Sequence, residues 1–155
     1  MNLKQFIHPD KDYKTRVKAS FTKQKFMDFI GAELSTLEPG YCEIQLPYSE
    51  NLTQQHGFFH SGIVSTIDDN AAGYAAFTLM DGTSSILTVE YKINLMAPAK
   101  GSVLIGKGKV VKPGKTLTIC QTEVFAEEDG QQKLCVVVQS TLIQLKDTTD
   151  GPTSK

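Results

Sequence analysis

The stretch QQHGFFHSGIVSTIDDNAAGYAAFTL, residues 54–79, concentrates the residues that could do chemistry. A loop carrying Gln54, His56, Gly57 and His60 runs directly into a segment rich in Ala and Gly whose only acids are Asp68 and Asp69. An ionised carboxylate is a proton acceptor or a nucleophile. A core helix normally avoids one, because enclosing it costs several kcal/mol unless it is paired or hydrogen-bonded. Such a helix also avoids glycine, at about 1 kcal/mol relative to alanine. A segment that breaks both rules points to a site. At about 100° per residue, Ile63, Ile67, Ala71, Tyr74 and Thr78 fall near one line and form the expected core stripe. Gly62, Ser65, Thr66, Asp69, Ala72, Gly73 and Ala76 form a second face on which everything but Asp69 is small. Another chain or a ligand can approach the backbone there, with Asp69 as the one reactive group. Asp68 lies about a quarter-turn away, beside Val64 and Ala75. The ordinary alternative is that both acids are solvated, or sit near a helix N-terminus where negative charge is mildly favoured. His56 and His60 are four apart, but they share a loop with no third ligand at a clear spacing, so no metal site is expected.

The elements around this stretch are legible. Residues 1–19 are polar and basic and read as an arm or a short irregular helix. Residues 20–30 read as a helix that Ser20 caps, Phe26, Phe29 and Ile30 face inward from, and Gly31 ends. Residues 33–38 and 41–47 read as two strands around the turn pair Pro39-Gly40. The long helix then runs to about Asp81-Gly82. After it, Leu87, Val89, Tyr91, Ile93 and Leu95 alternate with Thr88, Glu90, Lys92 and Asn94, the period of a strand with one buried and one polar face. Strands follow at 102–111, 116–126 and 134–145. Pro113-Gly114 suits the centre of a type II turn, and Asp129-Gly130 marks a hairpin. The expected architecture is α+β, with the long helix lying across one antiparallel sheet. Residues 1–30 form an N-terminal arm and short helix, 31–145 the main domain, and 146–155 a flexible tail without an apolar anchor.

Composition narrows the class. With 155 residues, 40% hydrophobic and 21% charged, the chain supports one globular domain. A formal net charge of −1 argues against a dedicated nucleic-acid binder. Between Lys92 and Lys115, Lys100, Lys107, Lys109 and Lys112 complete a run of six lysines. That run is either a solvated face or an anion site for phosphates. Cys42, Cys120 and Cys135 are odd in number and widely spaced, which supports neither a disulfide framework nor a zinc site and fits reduced thiols in a cytoplasmic protein. No apolar run approaches a membrane span, and the N-terminus lacks the apolar region of a signal peptide.

With these residues in view, the chain resembles the hotdog-fold acyl-CoA thioesterases of the PaaI type, from about Gly31 to Leu145. The most specific piece is Gln54-x-x-Gly57-x-x-His60-Ser61-Gly62 followed by Asp69, where the family has Asn or Gln, Gly, His-Gly-Gly and an acid nine residues after the His. LTVEYKINLMAPAKG and VVKPGKT fit the family's later strand and hairpin. The resemblance implies a long central helix wrapped by a sheet of five or six strands. It implies hydrolysis of an acyl- or aryl-acyl-CoA to free acid and CoA. Asp69 matches the general base or nucleophile, and Gln54 the amide that orients water or the carbonyl. His60 matches the motif histidine near the thioester, and the Ser61 N–H the donor that polarises its carbonyl. Thr88 falls near a Ser/Thr that assists water in some members. Gly57 and Gly62 belong to the motif, and Asn94, Pro98, Lys112 and Lys115 lie in segments that border CoA in relatives.

Two departures stand out. Ser61 replaces the middle glycine of His-Gly-Gly, and Gln54 replaces the Asn common in the PaaI branch. Relatives imply no cofactor beyond the CoA of the substrate, and a homodimer, often doubled to a tetramer, with Asp69 and Gln54 of one site drawn from different subunits. A non-catalytic acyl-CoA binder or sensor on the same scaffold stays open. A hotdog dehydratase ranks lower, because QHGFFHSG stands where those relatives carry HFPGxPxxPG.

Overall fold

The computed structural model describes Phe6 and residues 10–148. Its elements are α1 (Tyr13–Lys23), α2 (Lys25–Ile30), β1 (Glu33–Glu38), β2 (Tyr41–Pro47), a 3-10 turn at Glu50–Leu52, α3 (Ser61–Phe77), β3 (Ser85–Leu95), β4 (Val103–Lys112), β5 (Leu117–Glu128) and β6 (Gln131–Leu145). The strands form one six-stranded antiparallel sheet in the order β1-β2-β4-β5-β6-β3. α3 lies across it, chiefly against β4, β2 and β5. This is the hotdog arrangement that the resemblance implied.

Small residues let the helix lie close to the strands. A Cβ on Gly106 would stand 2.6 Å from Ile67 Cγ2, and one on Gly108 would run into the Ala71 carbonyl. Ala71, Ala72, Ala75 and Ala76 fill the helix side of that contact and are essentially inaccessible. Ala72 and Ala76 are therefore enclosed within the chain, and of the expected small-residue face only Gly62, Ser65, Thr66, Asp69 and Gly73 keep any exposure. Of the expected core stripe, Ile67, Ala71, Tyr74 and Thr78 are buried and Ile63 is half-buried.

The N-terminal helix differs from expectation. It is two helices, because Gln24 breaks the run with an extended ψ of 96°. The break is anchored from α3: Gln24 Nε2 donates to Asn70 Oδ1 at 2.8 Å and to Tyr74 Oη at 2.7 Å. Ser20 is not a cap. It is buried inside α1, 3.4 Å from the Tyr74 hydroxyl. Gly31 ends α2 as expected, but Met27 and Ile30 turn inward while Phe26 and Phe29 are exposed and stack on each other.

Turns follow the expectation in one place and depart from it in another. Asp129 and Gly130 both have positive φ, 52° and 75°, the conformation of a two-residue type I′ hairpin. Gly114 lacks the positive φ that a type II turn demands, so Pro113-Gly114 is not one. The β4–β5 link is a loop over 113–116, and its Thr116 carbonyl accepts from the Gln144 N–H. Of the expected flexible tail, 149–155 lie outside the described residues, and Thr148 N–H donates to the Thr83 carbonyl at 3.2 Å. The expected N-terminal arm likewise lies outside them at 1–5 and 7–9.

β3 carries the detail that matters most. It is an edge strand whose Leu87, Val89, Tyr91 and Leu95 are all roughly half exposed, so the expected buried face is not covered within one chain. Its register against β6 shifts between Thr88 and Glu90. Thr88 pairs with Leu142, which faces α3, while Glu90 pairs with Thr141 on the outer face. A strict two-residue period puts Thr88 and Glu90 on one side. The bulge sends Thr88 to the helix and leaves Glu90 outside. Among the described residues, no helix is long and apolar enough to cross a membrane.

Candidate active site

The loop before α3 is held from several directions. The Phe59 N–H donates to the Ala99 carbonyl at 3.0 Å and the His60 N–H to the Leu52 carbonyl at 2.9 Å. Within the loop, Gln54 N–H donates to Phe58 O and Gly57 N–H to Gln54 O, both at 2.9 Å, with Gly57 at a φ of 78°. The His56 N–H donates to Gln54 Oε1.

His60 is the N-cap of α3. Its Nδ1 accepts the Gly62 N–H at 2.9 Å, and its carbonyl accepts those of Ile63 and Val64. Histidine thereby fills the capping role usual for Ser, Thr, Asp or Asn. The Ser61 N–H, first in the helix, meets no acceptor among the described residues. It sits where the dipole and the free amides of a helix start favour a negative oxygen. Gln54, His60, Ser61 and Pro98 share a cavity of about 550 Å³ whose apolar wall includes Phe58, Phe59 and Leu95.

Asp69 lies two and a half turns further on and is half-buried. Thr88 Oγ1 donates to Asp69 Oδ1 at 2.6 Å, a short charge-assisted bond made possible by the bulge in β3. A cavity of about 130 Å³ beside this pair is lined by Gln24, Asn70, Tyr74, Leu87 and Leu142 among others. Nine residues of helix, about 13 Å, separate His60 from Asp69. Within one chain, therefore, Asp69 and Thr88 come together, Gln54, His60 and Ser61 come together, and the two groups stand apart.

Asp68 does not fit the alternative in which both acids are solvated. It is 0% exposed, and neither of its carboxylate oxygens has a hydrogen-bond partner. Burial pushes its carboxyl up to about 8, and the neighbouring Asp69 adds to the shift. The reason is the width of the helix's buried face: Thr122 Oγ1 donates to the Asp68 carbonyl at 3.3 Å, which puts this residue directly over β5.

The remaining expected residues disperse. Gly57 borders a shallow cavity with Tyr48, Lys100 and Ser102, and Gly62 is exposed at the helix start. Asn94 Oδ1 accepts from Lys92 Nζ at 2.9 Å on the outer face of β3. Lys112 closes β4, whose other end lies near Pro98, about 30 Å along the strand, and Lys115 follows in the next loop. The lysine run is not one patch: Lys107 Nζ donates to Gln132 Oε1 and lies over the Phe125 ring. The Gln24–Asn70–Tyr74 network beside Asp69 had no signal in the sequence, because it joins residues 46 and 50 apart. Among the described residues, no cluster of His, Cys, Asp or Glu could hold a metal ion.

Known proteins resemble this chain in sequence and in fold. The Thioesterase superfamily matches residues 56–133. A thioesterase family protein from Silicibacter pomeroyi shares 45% identity, with a TM-score of 0.85 over 86% of this chain and 98% of that one. A candidate esterase of Saccharolobus solfataricus is 31% identical over 126 residues, 81% of each chain. The PaaI protein of E. coli, at 15% identity, has the same fold with a TM-score of 0.79 over 88% of this chain and 96% of its own.

Proposed function

The chain belongs to the thioesterase superfamily and is a thioester hydrolase, and from that premise we propose that it cleaves an acyl- or aryl-acyl-CoA into free acid and CoA, with Asp69 as general base or nucleophile. The observation that carries this reading is the Thr88–Asp69 bond. A half-buried carboxylate with one oxygen held at 2.6 Å by a hydroxyl keeps its second oxygen for a water or a carbonyl carbon.

In the general-base form, Asp69 takes a proton from water as the water oxygen bonds to the carbonyl carbon. The oxyanion forms against the Ser61 N–H, the C–S bond then breaks, and the proton leaves with the CoA thiol. One backbone donor placed at the oxyanion is worth about 3 kcal/mol in the transition state. In the nucleophilic form the carboxylate bonds to the carbonyl carbon, and the C–S bond breaks to release CoA and leave an anhydride on Asp69. Water then cleaves the anhydride to free acid and the Asp69 carboxylate, its proton going to the CoA thiolate. Gln54 and His60 orient the water and the carbonyl in either form. Gly57 and Gly62 are assigned to the substrate beside the thioester, and Asn94, Pro98, Lys112 and Lys115, which stand apart within one chain, to the CoA portion through the resemblance alone. No cofactor enters beyond that CoA.

A base and an oxyanion donor must meet at one carbonyl, yet about 13 Å of helix lies between Ser61's turn and Asp69. A homodimer, with pairs doubling to a tetramer, resolves this. The unpaired side of edge strand β3, along which Leu87, Val89, Tyr91 and Leu95 are all exposed, is the surface for joining two sheets. A second copy would then bring its own Gln54, His60 and Ser61 to this chain's Asp69. Three buried free thiols are consistent with a cytoplasmic setting.

The test is thiol release from a panel of short, long and aryl acyl-CoAs, comparing wild type with Asp69→Asn. Turnover by the wild type that collapses in a folded variant supports the assignment. Acyl-CoA binding without turnover in either protein would turn the reading to an acyl-CoA sensor.

A further inference from the structure

Two acids stand side by side on α3 in opposite surroundings. Asp69 is half-buried and bonded to Thr88, whereas Asp68 is fully enclosed and neither of its oxygens meets a partner. The thioester chemistry proposed above gives work to Asp69 and none to Asp68. An orphaned ionised carboxylate in a packed interior is a large penalty, and a neutral carboxylic acid is a small one.

No cation relieves Asp68. On the sheet side of α3, the titratable groups are Cys42 on β2, Cys120 on β5 and Tyr91 on β3. β4 turns Gly106, Gly108 and Val110 inward, and β6 turns Val138, Ser140 and Leu142 inward. Both thiols are pushed up to about 12 by burial and are neutral. Among the described residues, the buried set contains no Lys, Arg or His. The remaining charged neighbour is Asp69 itself, of like sign.

We propose that Asp68 holds the proton of an Asp68–Asp69 pair and so confines the pair's single negative charge to Asp69, which makes Asp68 a positioning residue for thioester hydrolysis. This rests on the reading of Asp69 as base or nucleophile. Paired carboxyls in unlike environments divide labour in this way: the enclosed one stays neutral and the polar, hydrogen-bonded one ionises. Once Asp68 loses its proton at alkaline pH, a second negative charge stands beside Asp69 and opposes the oxyanion forming nearby.

The experiment compares wild type, Asp68→Asn, Asp68→Ala and Asp69→Asn in two readouts. The first is kcat/KM against pH with the best acyl-CoA of the panel. Asp69→Asn is expected to fall about 10²- to 10⁴-fold at pH 7, the range of a lost acid–base group, and Asp68→Asn less than about tenfold. The wild-type profile declines above about pH 8, and Asp68→Asn keeps the acid limb and loses that decline. The second readout is the free energy of urea unfolding against pH. The wild type loses stability from pH 5 to pH 8 relative to Asp68→Asn, since the folded protein keeps a proton that the unfolded chain has released. Asp68→Ala gives the same curve if the Asn amide finds no partner and that variant fails to fold.

Equal losses for Asp68→Asn and Asp69→Asn at pH 7, or parallel unfolding curves for wild type and the Asp68 variants, overturn the proposal. Full turnover by Asp69→Asn would instead remove the catalytic reading, while the unfolding curves would still report where the proton resides.

Discussion

Thr88 Oγ1 reaches Asp69 Oδ1 at 2.6 Å only because β3 bulges immediately after Thr88. The bond crosses from the edge strand to the long helix and fixes the carboxylate's rotamer. A hydrogen bond to a charged group contributes about 1.5–3 kcal/mol, which as transition-state stabilisation is about 10- to 100-fold in rate. Thr88→Val is therefore expected to lower kcat by that factor with little change in KM, and Thr88→Ser to restore most of it. Steady-state kinetics on the preferred acyl-CoA decides, and a Thr88→Val enzyme with wild-type kcat would remove Thr88 from the site.

The edge of the sheet makes a second prediction. Leu87, Val89, Tyr91 and Leu95 are exposed on a strand with one unpaired side. Lysine on an edge strand blocks pairing with another chain. Val89→Lys should yield folded monomers by light scattering at micromolar concentration, and thiol release should fall with the dimer fraction. A monomeric variant with full turnover would show that one chain suffices.

How much of this was legible in the sequence varies by residue. Asp69 stands out because it interrupts an Ala- and Gly-rich run that a loop carrying Gln54 and His60 leads into, whereas Ser61 is marked only by the resemblance. The hairpin at Asp129-Gly130 is equally plain, because its backbone requires those residue types. Thr88 was visible only through the resemblance, since simple alternation puts it on the face of Glu90 and a bulge leaves no mark in composition. The enclosure of Asp68 is not legible in the sequence, because a helix wheel gives angles but not the width of the buried face. Gly106 and Gly108, on a strand some 40 residues later, bring the sheet close enough to enclose it. The break at Gln24 was equally hidden, because its partners Asn70 and Tyr74 lie on another helix.

Asp81 supplies an acid-side pH dependence. It follows α3 and accepts from the Ser84 hydroxyl at 2.6 Å, the Thr83 N–H at 3.2 Å and the Thr83 hydroxyl at 3.1 Å. The Ser84 bond, with those from Thr83, holds its carboxyl below the ordinary 3.8. A depressed folded-state value means that its stabilisation is present above the unfolded value and is lost as pH falls below about 4. Asp81→Ala should cost about 1–2 kcal/mol at pH 7, from hydroxyl and amide donors left without an acceptor. The gap from wild type should narrow towards pH 3, as read from urea unfolding at both pH values. A gap that stays constant would mean that the turn does not depend on the charge.

Gly108 tests the contact on which the helix's position depends. An added Cβ would meet the Ala71 carbonyl and the Ala72 N. Both are backbone atoms of α3, so no side chain can swing aside to make room. The helix must lift from β4 or the strand must bend, and either motion opens space around Ala71, Ala72 and Cys120, all of which are fully buried. Overpacking of this kind costs about 1–3 kcal/mol, and the backbone contact places Gly108→Ala at the upper end. Gly106→Ala should cost less, because its nearest backbone obstacle is the Ile67 carbonyl at 3.2 Å, against 2.3 Å for the Ala71 carbonyl at Gly108, so the shift falls mainly on the Ile67 Cγ2 methyl at 2.6 Å. Lifting the helix also draws Asp69 away from Thr88, so Gly108→Ala should lose turnover beyond its loss of folded protein, whereas Gly106→Ala should track folded protein alone. Urea unfolding and kcat measured on the same preparations separate the two effects. Equal stability for the two variants would show that the contact at Gly108 relaxes without moving the helix.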